Sequence, residues 1–330
     1  AATTRTRLAV LPVLAGRRTL RVADSAVPAH LQWVTNPERI RVAFQGELGA
    51  NAEDAIQLLY GAPAEPVPFP SYGDAVYAVL DKGVDRVVLP IENTIVGSIG
   101  ETYDAIDRAP TLHAVGETVV EVHHCLMAPF GATIDHVATV LSHALALAQC
   151  REFFRKHPRM QTHALFDTAA AAREVAQLGD PSFAAVAARS AAGRYSLDVL
   201  AADIEDRHDN QTRFLFFARE PLRSESGTPV RTMLLFTITD TPGALLAALQ
   251  PFADHGVNLR RIDTRPTGEP LSYRFCVEFD HETGNANIAD ALRAVAQATV
   301  VLRIVGTFPR WKAGRRGSIG WMPMDNGLIA

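Results

Sequence analysis

Residues 206–217 read DRHDNQTRFLFF, a polar segment that runs directly into an apolar one. The apolar run 214–217 is typical of a buried strand, and a loop that feeds such a strand holds its last polar side chains rigidly at the strand's mouth. Those side chains are Thr212, which can donate a hydrogen bond, and Arg213, whose guanidinium can bind a carboxylate through two parallel bonds. Taken alone, the pattern also fits an Asx-rich turn with a solvated arginine.

The chain between residues 39 and 219 alternates strand and helix patterns throughout. This alternation predicts an α/β domain with parallel strands and right-handed crossovers. The proline-rich segment 63–70 is expected to be an irregular connector. The long segment 112–128 is expected to be a strand that passes from one lobe into another, which makes the domain bilobed.

Polar loops recur at the strand ends and helix starts of this domain, and their convergence favours a ligand site over a simple turn. Ser98 precedes Glu101 by three residues, the spacing of a capping box, so a structural role for Ser98 is an alternative. The chain has no Gly-x-Ser-x-Gly, His-Glu-x-x-His or Walker motif. The candidate site residues outside 206–217 are Gln45, Glu92, Asn93, Ser98, Asp167 and Thr168.

After a linker at 220–229, the pattern changes to strand, helix, strand, strand, helix, strand over residues 232–306. This order predicts a ferredoxin-like domain. Its polar side chains are too few for catalysis, so a binding or pairing role is the better prediction.

Composition excludes several classes of function. The chain has 330 residues with a formal net charge of −4, which predicts neither a nucleic-acid nor an anionic-membrane partner. Three cysteines without zinc-finger spacing fit a reducing compartment. His123 and His124 are adjacent on an extended segment and face opposite sides, so no metal site is expected there.

The N-terminus is rich in arginine and poor in acidic residues. Five arginines precede the first acidic residue: Arg5, Arg7, Arg17, Arg18 and Arg21. An Arg-rich, acid-poor start is typical of an organelle transit peptide and also of a disordered extension. A cytoplasmic protein is the main prediction, with a plastid location as the alternative if 1–38 is a transit peptide.

In its motifs the chain resembles the prephenate dehydratases and the related arogenate dehydratases, over residues 39–310. Each motif alone is weak, and their order is specific. The motifs are VAFQGELGA at 42–50, LPIENT at 89–94, GSI at 97–99, DTA at 167–169 and NQTRF at 210–214, followed by GAL at 243–245 and NLRRIDTRP at 258–266, which resemble an ACT regulatory domain.

The resemblance implies a fold similar to periplasmic binding proteins, with the site in the cleft between two lobes. It implies conversion of prephenate to phenylpyruvate with loss of water and carbon dioxide, without metal or organic cofactor. Thr212 is expected to give a proton or a hydrogen bond to the departing hydroxyl, Arg213 to bind a substrate carboxylate, and Glu92 to relay a proton. The residues expected to contact substrate are Asn93, Ser98, Thr168, Asn210, Phe214 and Gln45.

The same resemblance implies feedback by phenylalanine, bound to the ACT domain at a subunit interface of a homodimer or homotetramer. The expected effector residues are Gly243, Ala244, Leu245, Asn258, Asp263, Thr264, Arg265 and Pro266. Two departures stand out: 142–145 reads SHAL where the family commonly has SHPQ, and 263–266 reads DTRP where the signature is ESRP.

The expected organisation is an extension at 1–38, a catalytic domain at 39–220, a linker at 221–229, an ACT domain at 230–310 and a disordered tail at 311–330. Two alternatives to the prephenate activity stay open. One is the same chemistry on arogenate, which gives phenylalanine directly, and the other is a bilobed binding protein without catalysis.

Overall fold

The computed structural model describes residues 39–268 and 272–311. The predictions for the extension 1–38 and for the tail from residue 312 onward fall outside these residues. Within the described part of the chain, no helix combines the length and apolar character needed to cross a bilayer.

The first lobe, residues 39–121 and 211–218, is a six-stranded sheet with three helices. Its elements are β1 (Ile40–Gln45), α1 (Asn51–Tyr60), β2 (Ala64–Phe69), α2 (Tyr72–Leu80), β3 (Arg86–Asn93), β4 (Gly97–Ser98), α3 (Gly100–Asp107), β5 (His113–Glu121) and β11 (Gln211–Ala218). The strand order is β2-β1-β3-β11-β5, with β4 on β3. The predicted parallel strands are present in β1, β2 and β3, but β11 is antiparallel to both of its neighbours, so the sheet is mixed.

The proline-rich segment 63–70 contains a strand, β2, where an irregular connector was expected. Pro66 and Pro68 cannot donate to a sheet ladder, and proline is tolerated only where one side of a strand needs no partner. β2 meets this condition because it lies at the edge of the sheet and pairs only with β1. Proline content alone therefore did not exclude a strand.

The second lobe, residues 125–201, is a five-stranded sheet in the order β10-β6-β9-β7-β8. Its elements are β6 (Cys125–Pro129), β7 (Thr139–His143), α4 (Ala144–Ala148), α5 (Arg151–Lys156), β8 (Gln161–Leu165), α6 (Thr168–Leu178), β9 (Phe183–Ala187), α7 (Arg189–Tyr195) and β10 (Leu197–Ala201). Two crossing segments, 122–124 and 202–210, join the lobes, so the expected passage of segment 112–128 between lobes is confirmed.

The C-terminal domain, residues 229–309, has the predicted ferredoxin-like order. Its elements are β12 (Pro229–Thr237), α8 (Ala244–Asp254), β13 (Leu259–Pro266), β14 (Tyr273–Glu282), α9 (Ala286–Ala298) and β15 (Val301–Pro309), with strand order β13-β14-β12-β15. The two helices pack on one face of this sheet through the core around Phe252 and Phe279.

The other face of the C-terminal sheet packs on the first lobe. Leu215 and Phe217 of β11 share one apolar cluster with Met233, Cys276 and Phe308. This shared core makes the two parts one packed body, because burial of apolar surface on both sides stabilises their contact. In addition, the Arg303 guanidinium donates to the carbonyls of Ile106, Ala109 and Leu112 at 2.9–3.0 Å.

Gly306 of β15 provides a sharp test of this contact. A methyl carbon built on Gly306 overlaps the carbonyl oxygen of Ala114 and lies 2.7 Å from its amide nitrogen. We expect Gly306→Ala to push β15 from β5 and to lower the free energy of unfolding by ~1–3 kcal/mol, measured by urea denaturation.

Gly193→Ala in α7 is the matched control, since a methyl there meets no atom within 4 Å. A helical glycine replaced by alanine should be neutral or stabilising. Equal stability of the two variants would show that β5 and β15 are not in close contact.

Candidate active site

The centre of the site is a hydrogen-bonded pair, Thr212 and Asn93, which face each other across β11 and β3. The Asn93 Nδ2 donates to Thr212 Oγ1 at 2.9 Å, and the Asn93 Oδ1 accepts from the amides of Ile95 and Val96 at 2.9 and 3.1 Å. Asn93 is therefore held by its own turn. Because Thr212 accepts from Asn93, its own hydroxyl proton is free to be donated to another group.

Asn210 extends the pair towards the second lobe. Its Oδ1 accepts from Asn93 Nδ2 at 2.7 Å, and its Nδ2 donates to Gln149 Oε1 at 3.4 Å. Gln149 ends α4 of the second lobe and also lies 2.9 Å from His124 Nε2. The hydrogen bonds therefore run from one lobe to the other. Gln149 was missed from the sequence, where it looks like one more polar residue at a helix end.

Arg213 and Glu92 lie on the opposite face of the same two strands, since neighbouring strand residues alternate in direction. The Arg213 side chain is 8% exposed, and its three nitrogens contact Glu92 at 2.6 Å, Glu117 at 3.0 Å and Glu278 at 2.6 Å. The structure does not bring Arg213 or Glu92 together with the Thr212 hydroxyl. The guanidinium is already occupied by three carboxylates of the protein.

Ser98 also faces away from Thr212. β4 pairs Ser98 with Glu92, and the Ser98 Oγ accepts from Arg261 of the C-terminal domain at 2.7 Å. The alternative that Ser98 caps the following helix is wrong, because α3 begins at Gly100 and Ile99 occupies the cap position without a side-chain bond. The two-residue strand β4 directs the hydroxyl elsewhere.

The remaining predicted contacts surround the cleft. Gln45 ends β1, and the adjacent Gly46 lies close enough to Asp167 that a methyl there would be 3.2 Å from the Oδ2. Asp167 caps α6 by accepting from the Ala170 amide, and Thr168 is the first residue of that helix. Phe214 of β11 is buried in an apolar cluster with Ala169, which lies in the first turn of α6. The structure thus places the Gln45 loop beside the start of α6, and α6 beside β11.

The expected effector residues are divided between two elements of the C-terminal domain. Gly243 caps α8 with φ of 81°, followed by Ala244 and Leu245, while Asn258 is exposed just before β13. On β13 lie Asp263, Thr264, Arg265 and Pro266. Asp263 accepts from the Thr264 amide at 2.8 Å and from Arg261 at 3.1 Å. The Arg265 guanidinium lies 6.0 Å from the ring centre of Tyr103, in the first lobe.

A cluster of charges joins the two crossing segments near the site. The His123 Nδ1 lies 2.8 Å from Glu205 Oε1 and 3.7 Å from Asp203, its Nε2 is 3.7 Å from Glu121, and His208 is 3.3 Å from Glu205. The His123, Asp203 and Glu205 ligand atoms lie within 4.8 Å of one another, so these residues could hold a metal ion. No such pairing involves His124, whose ring faces Gln149.

The hydrogen bond to Glu205 raises the pKa of His123, despite partial burial. A raised folded-state pKa gives stability that is present below the ordinary value of ~6.5 and is lost as pH rises through the folded value. Burial tends to raise the pKa of Glu205, but the hydrogen bonds it accepts lower it overall. Its contribution is therefore lost when pH falls.

We expect His123→Asn to lower the melting temperature most near pH 5–6 and progressively less towards pH 8–9, measured by thermal denaturation at each pH. His123 is 40% exposed, so solvent screening limits the loss to ~1 kcal/mol or less. His163→Asn is the matched control, because His163 lies on the exposed strand β8, away from the two crossing segments. A loss that does not change with pH would argue against the ion pair.

The fold and the site define a bilobed α/β enzyme whose polar pair lies between the lobes and whose C-terminal domain packs behind the same strands. A model of the prephenate dehydratase family matches residues 42–222, and a model of the ACT domain matches residues 232–297. The chain belongs to the prephenate dehydratase family, with a C-terminal ACT domain.

Several known proteins are similar along most of the chain. The Arabidopsis thaliana protein named arogenate dehydratase/prephenate dehydratase 2, chloroplastic, is 39% identical over 84% of this chain and 74% of its own length. A solved prephenate dehydratase from Arthrobacter aurescens, in complex with L-Phe, is 31% identical with a TM-score of 0.75, over 82% of this chain and 90% of its own. A structure described as GqqA, a quorum quenching acylase, is 28% identical with a TM-score of 0.76, over 83% and 100%.

Proposed function

We propose that this protein converts prephenate to phenylpyruvate in phenylalanine biosynthesis, and that phenylalanine regulates it through the ACT domain. The observation that carries the proposal is the hydroxyl of Thr212, a residue that is 8% exposed; this hydroxyl accepts from Asn93 and keeps its own proton free. Family membership supplies the reaction, and this pair supplies a donor for the departing hydroxyl.

The proposed step needs little from the protein because the substrate's ring becomes aromatic. The bond between the ring and its carboxylate breaks to release carbon dioxide, and that electron pair enters the ring. The ring's hydroxyl leaves with its own bonding pair, assisted by a hydrogen bond from Thr212, and becomes water by taking a proton. If that proton comes from Thr212, solvent returns one to the threonine oxygen. A threonine has a high pKa, so polarisation of the leaving group by a fixed hydrogen bond is the less demanding course.

We assign the substrate contacts to the cleft face of the site. Asn93 and Asn210 fix the position of Thr212, while Thr168 and Gln45 are proposed contacts from the α6 start and the β1 end. Arg213, Glu92 and Ser98 are proposed to act only indirectly, because their polar atoms are bonded on the opposite face. This assignment replaces two earlier expectations: that Arg213 binds a substrate carboxylate directly, and that Glu92 relays a proton to Thr212.

The same chemistry on arogenate is the second candidate, favoured by the names of two similar relatives, one of which carries both activities in its name. Purified protein incubated separately with prephenate and arogenate should form phenylpyruvate from the first, measured by product chromatography. Phenylalanine formed faster from arogenate would reverse the order of the two substrates. If neither substrate gives an aromatic product, the protein is not a dehydratase, and the alternative of a binding protein without catalysis remains.

For the organisation of the chain, we propose a catalytic domain at 39–220, a linker at 221–229 and a regulatory domain at 230–310, assembled as a homodimer or homotetramer. Exposed apolar side chains on the C-terminal domain, among them Leu246, Ile262 and Val301, support self-association through it. Light scattering of the purified protein measures the assembly. Imaging of a fluorescent protein fused to residues 1–38 distinguishes the two locations, because a transit peptide carries the fusion into plastids and a plain extension leaves it in the cytoplasm.

A further inference from the structure

A closed ring of four charged side chains joins the catalytic strands to the ACT domain. We call it the arginine–glutamate ring: Arg213 and Glu92 come from the first lobe, and Arg261 and Glu278 from the C-terminal domain. Glu92 bonds Arg213 at 2.6 Å with one oxygen and Arg261 at 3.2 Å with the other. The Glu278 Oε1 completes the ring, at 2.6 Å from Arg213 and 3.3 Å from Arg261.

The ring is charged and mostly buried: the side chains of Arg213 and Arg261 are 8% and 11% exposed, while Glu92 is 38% exposed. Glu278 is 1% exposed, and although burial opposes ionisation, Arg213 and Arg261 hold its pKa below the ordinary value. The Glu278 Oε2 has no hydrogen-bond partner within the described residues. A buried oxygen without a partner leaves the network incompletely satisfied, which makes the ring costly to hold and sensitive to small displacements.

The ring lies one residue from the active-site pair on both strands. Arg213 pairs with Glu92 across β11 and β3, and the next pair in register is Thr212 with Asn93. Because the strands alternate, one pair faces the ACT domain while its neighbour faces the cleft. A shift in either strand that the ring imposes must therefore move Thr212 relative to Asn93.

The ring also contacts the strand that carries the effector motif. Arg261 lies on β13 two residues before Asp263, which it contacts, and it also bonds Ser98 and the Tyr103 hydroxyl of the first lobe. Any displacement of β13 by a bound amino acid thus reaches Glu92 and Glu278 through Arg261.

We propose that Glu278 is a positioning residue for the dehydratase reaction, which couples ACT-domain occupancy to the Thr212–Asn93 pair through Arg213 and Glu92. The proposal rests on the function proposed above, and it identifies a residue of the regulatory domain that acts on the catalytic strands. In this proposal phenylalanine acts on the geometry of two adjacent cross-strand pairs, because a displacement of Arg261 changes how the ring holds β3 and β11.

The test compares the full-length wild type with Glu278→Gln, which keeps the shape and removes the charge, and with Glu282→Gln on the exposed end of the same strand. For each protein, phenylalanine affinity is measured by calorimetry and inhibition by the half-inhibitory concentration with prephenate. We expect Glu278→Gln to bind phenylalanine normally and to need about tenfold more for half-inhibition, with a lower kcat. Glu282→Gln should match the wild type.

A readout independent of turnover separates this proposal from the proposed function. Hydrogen exchange of residues 86–93 and 211–218 is followed with and without phenylalanine, and we expect a change in the wild type that Glu278→Gln abolishes. The coupling would be overturned if Glu278→Gln showed the same phenylalanine inhibition and the same hydrogen-exchange response as the wild type. It would also be overturned if phenylalanine did not change hydrogen exchange in the wild type. An exchange change without turnover of prephenate or arogenate would overturn the proposed function alone.

If Glu278→Gln does not fold, Arg261→Gln opens the ring while Arg213 and Glu278 stay paired. We expect the same separation of phenylalanine binding from inhibition in this variant. The proposal would be overturned if phenylalanine affinity and the half-inhibitory concentration of Arg261→Gln stayed in the same ratio as in the wild type.

Discussion

Replacing Thr212 with alanine is expected to lower kcat on prephenate by roughly two to four orders of magnitude, with little change in the melting temperature. The methyl group of alanine cannot donate to the leaving hydroxyl, and Asn93 Nδ2 keeps Asn210 as an acceptor at 2.7 Å. The site therefore stays assembled while its donor is lost. Steady-state kinetics and thermal denaturation of the purified variant measure both quantities.

Two further variants make this result specific. Thr212→Ser retains the hydroxyl and should restore most of the turnover, whereas Thr162→Ala, on an exposed strand of the second lobe, should leave it unchanged. Near-normal turnover of Thr212→Ala would remove Thr212 from the mechanism. Equal losses in the alanine and serine variants would indicate a packing role for the methyl group instead of a role for the hydroxyl.

Replacing Arg213 with leucine is expected to lower the free energy of unfolding by ~3–5 kcal/mol. Removal of Arg213 leaves two almost fully buried carboxylates without their shared cation, and each then has a longer arginine contact of 3.3 Å, from Arg231 to Glu117 and from Arg261 to Glu278. Although burial alone lowers it, the carboxylates raise the pKa of Arg213, so the guanidinium stays charged at every pH of interest. Urea denaturation followed by circular dichroism measures the loss.

Arg155→Leu is the matched control, because Arg155 pairs with Glu152 on the exposed surface of α5. Its removal should change stability little, as is usual for exposed pairs. Arg213→Lys separates the two roles considered for Arg213, since lysine cannot replace three directed bonds. A higher KM with unchanged stability would return Arg213 to direct substrate binding, and a stability loss of several kcal/mol supports the buried ring.

The sequence carried enough information for the lobes, the C-terminal domain and the family. Period-two and period-3.6 apolar patterns are local properties, so the strands at 40–45 and 211–218 and the helix that Asp167 caps were predictable. Strand direction was not, because nothing local distinguishes a strand that enters its sheet antiparallel, as β11 does. The edge strand β2 was missed for a related reason, since edge position is a tertiary property.

In the site, residue identity was easier to predict than orientation. Thr212 and Arg213 are adjacent and both suit substrate binding, yet adjacent strand residues face opposite sides, and only one of them can face the cleft. Sequence alone does not show which side of the strand faces the cleft. It also does not show that Glu278, 65 positions after Arg213, contacts Arg213 on the opposite side. Gln149 was missed because its contact with Asn210 depends on how the two lobes meet.

The position of β11 between β3 and β5 in the first sheet has a consequence for folding during synthesis. During synthesis, residues 125–201 emerge before β11 does, so the second lobe can form while the first still has an open gap between β3 and β5. Pairings between distant segments are slow to form, and exposed strand edges invite aggregation. The strand that closes this gap also delivers Thr212. The nascent chain therefore gains the Thr212 hydroxyl, the proposed proton donor, in the same event that pairs the open edges of β3 and β5.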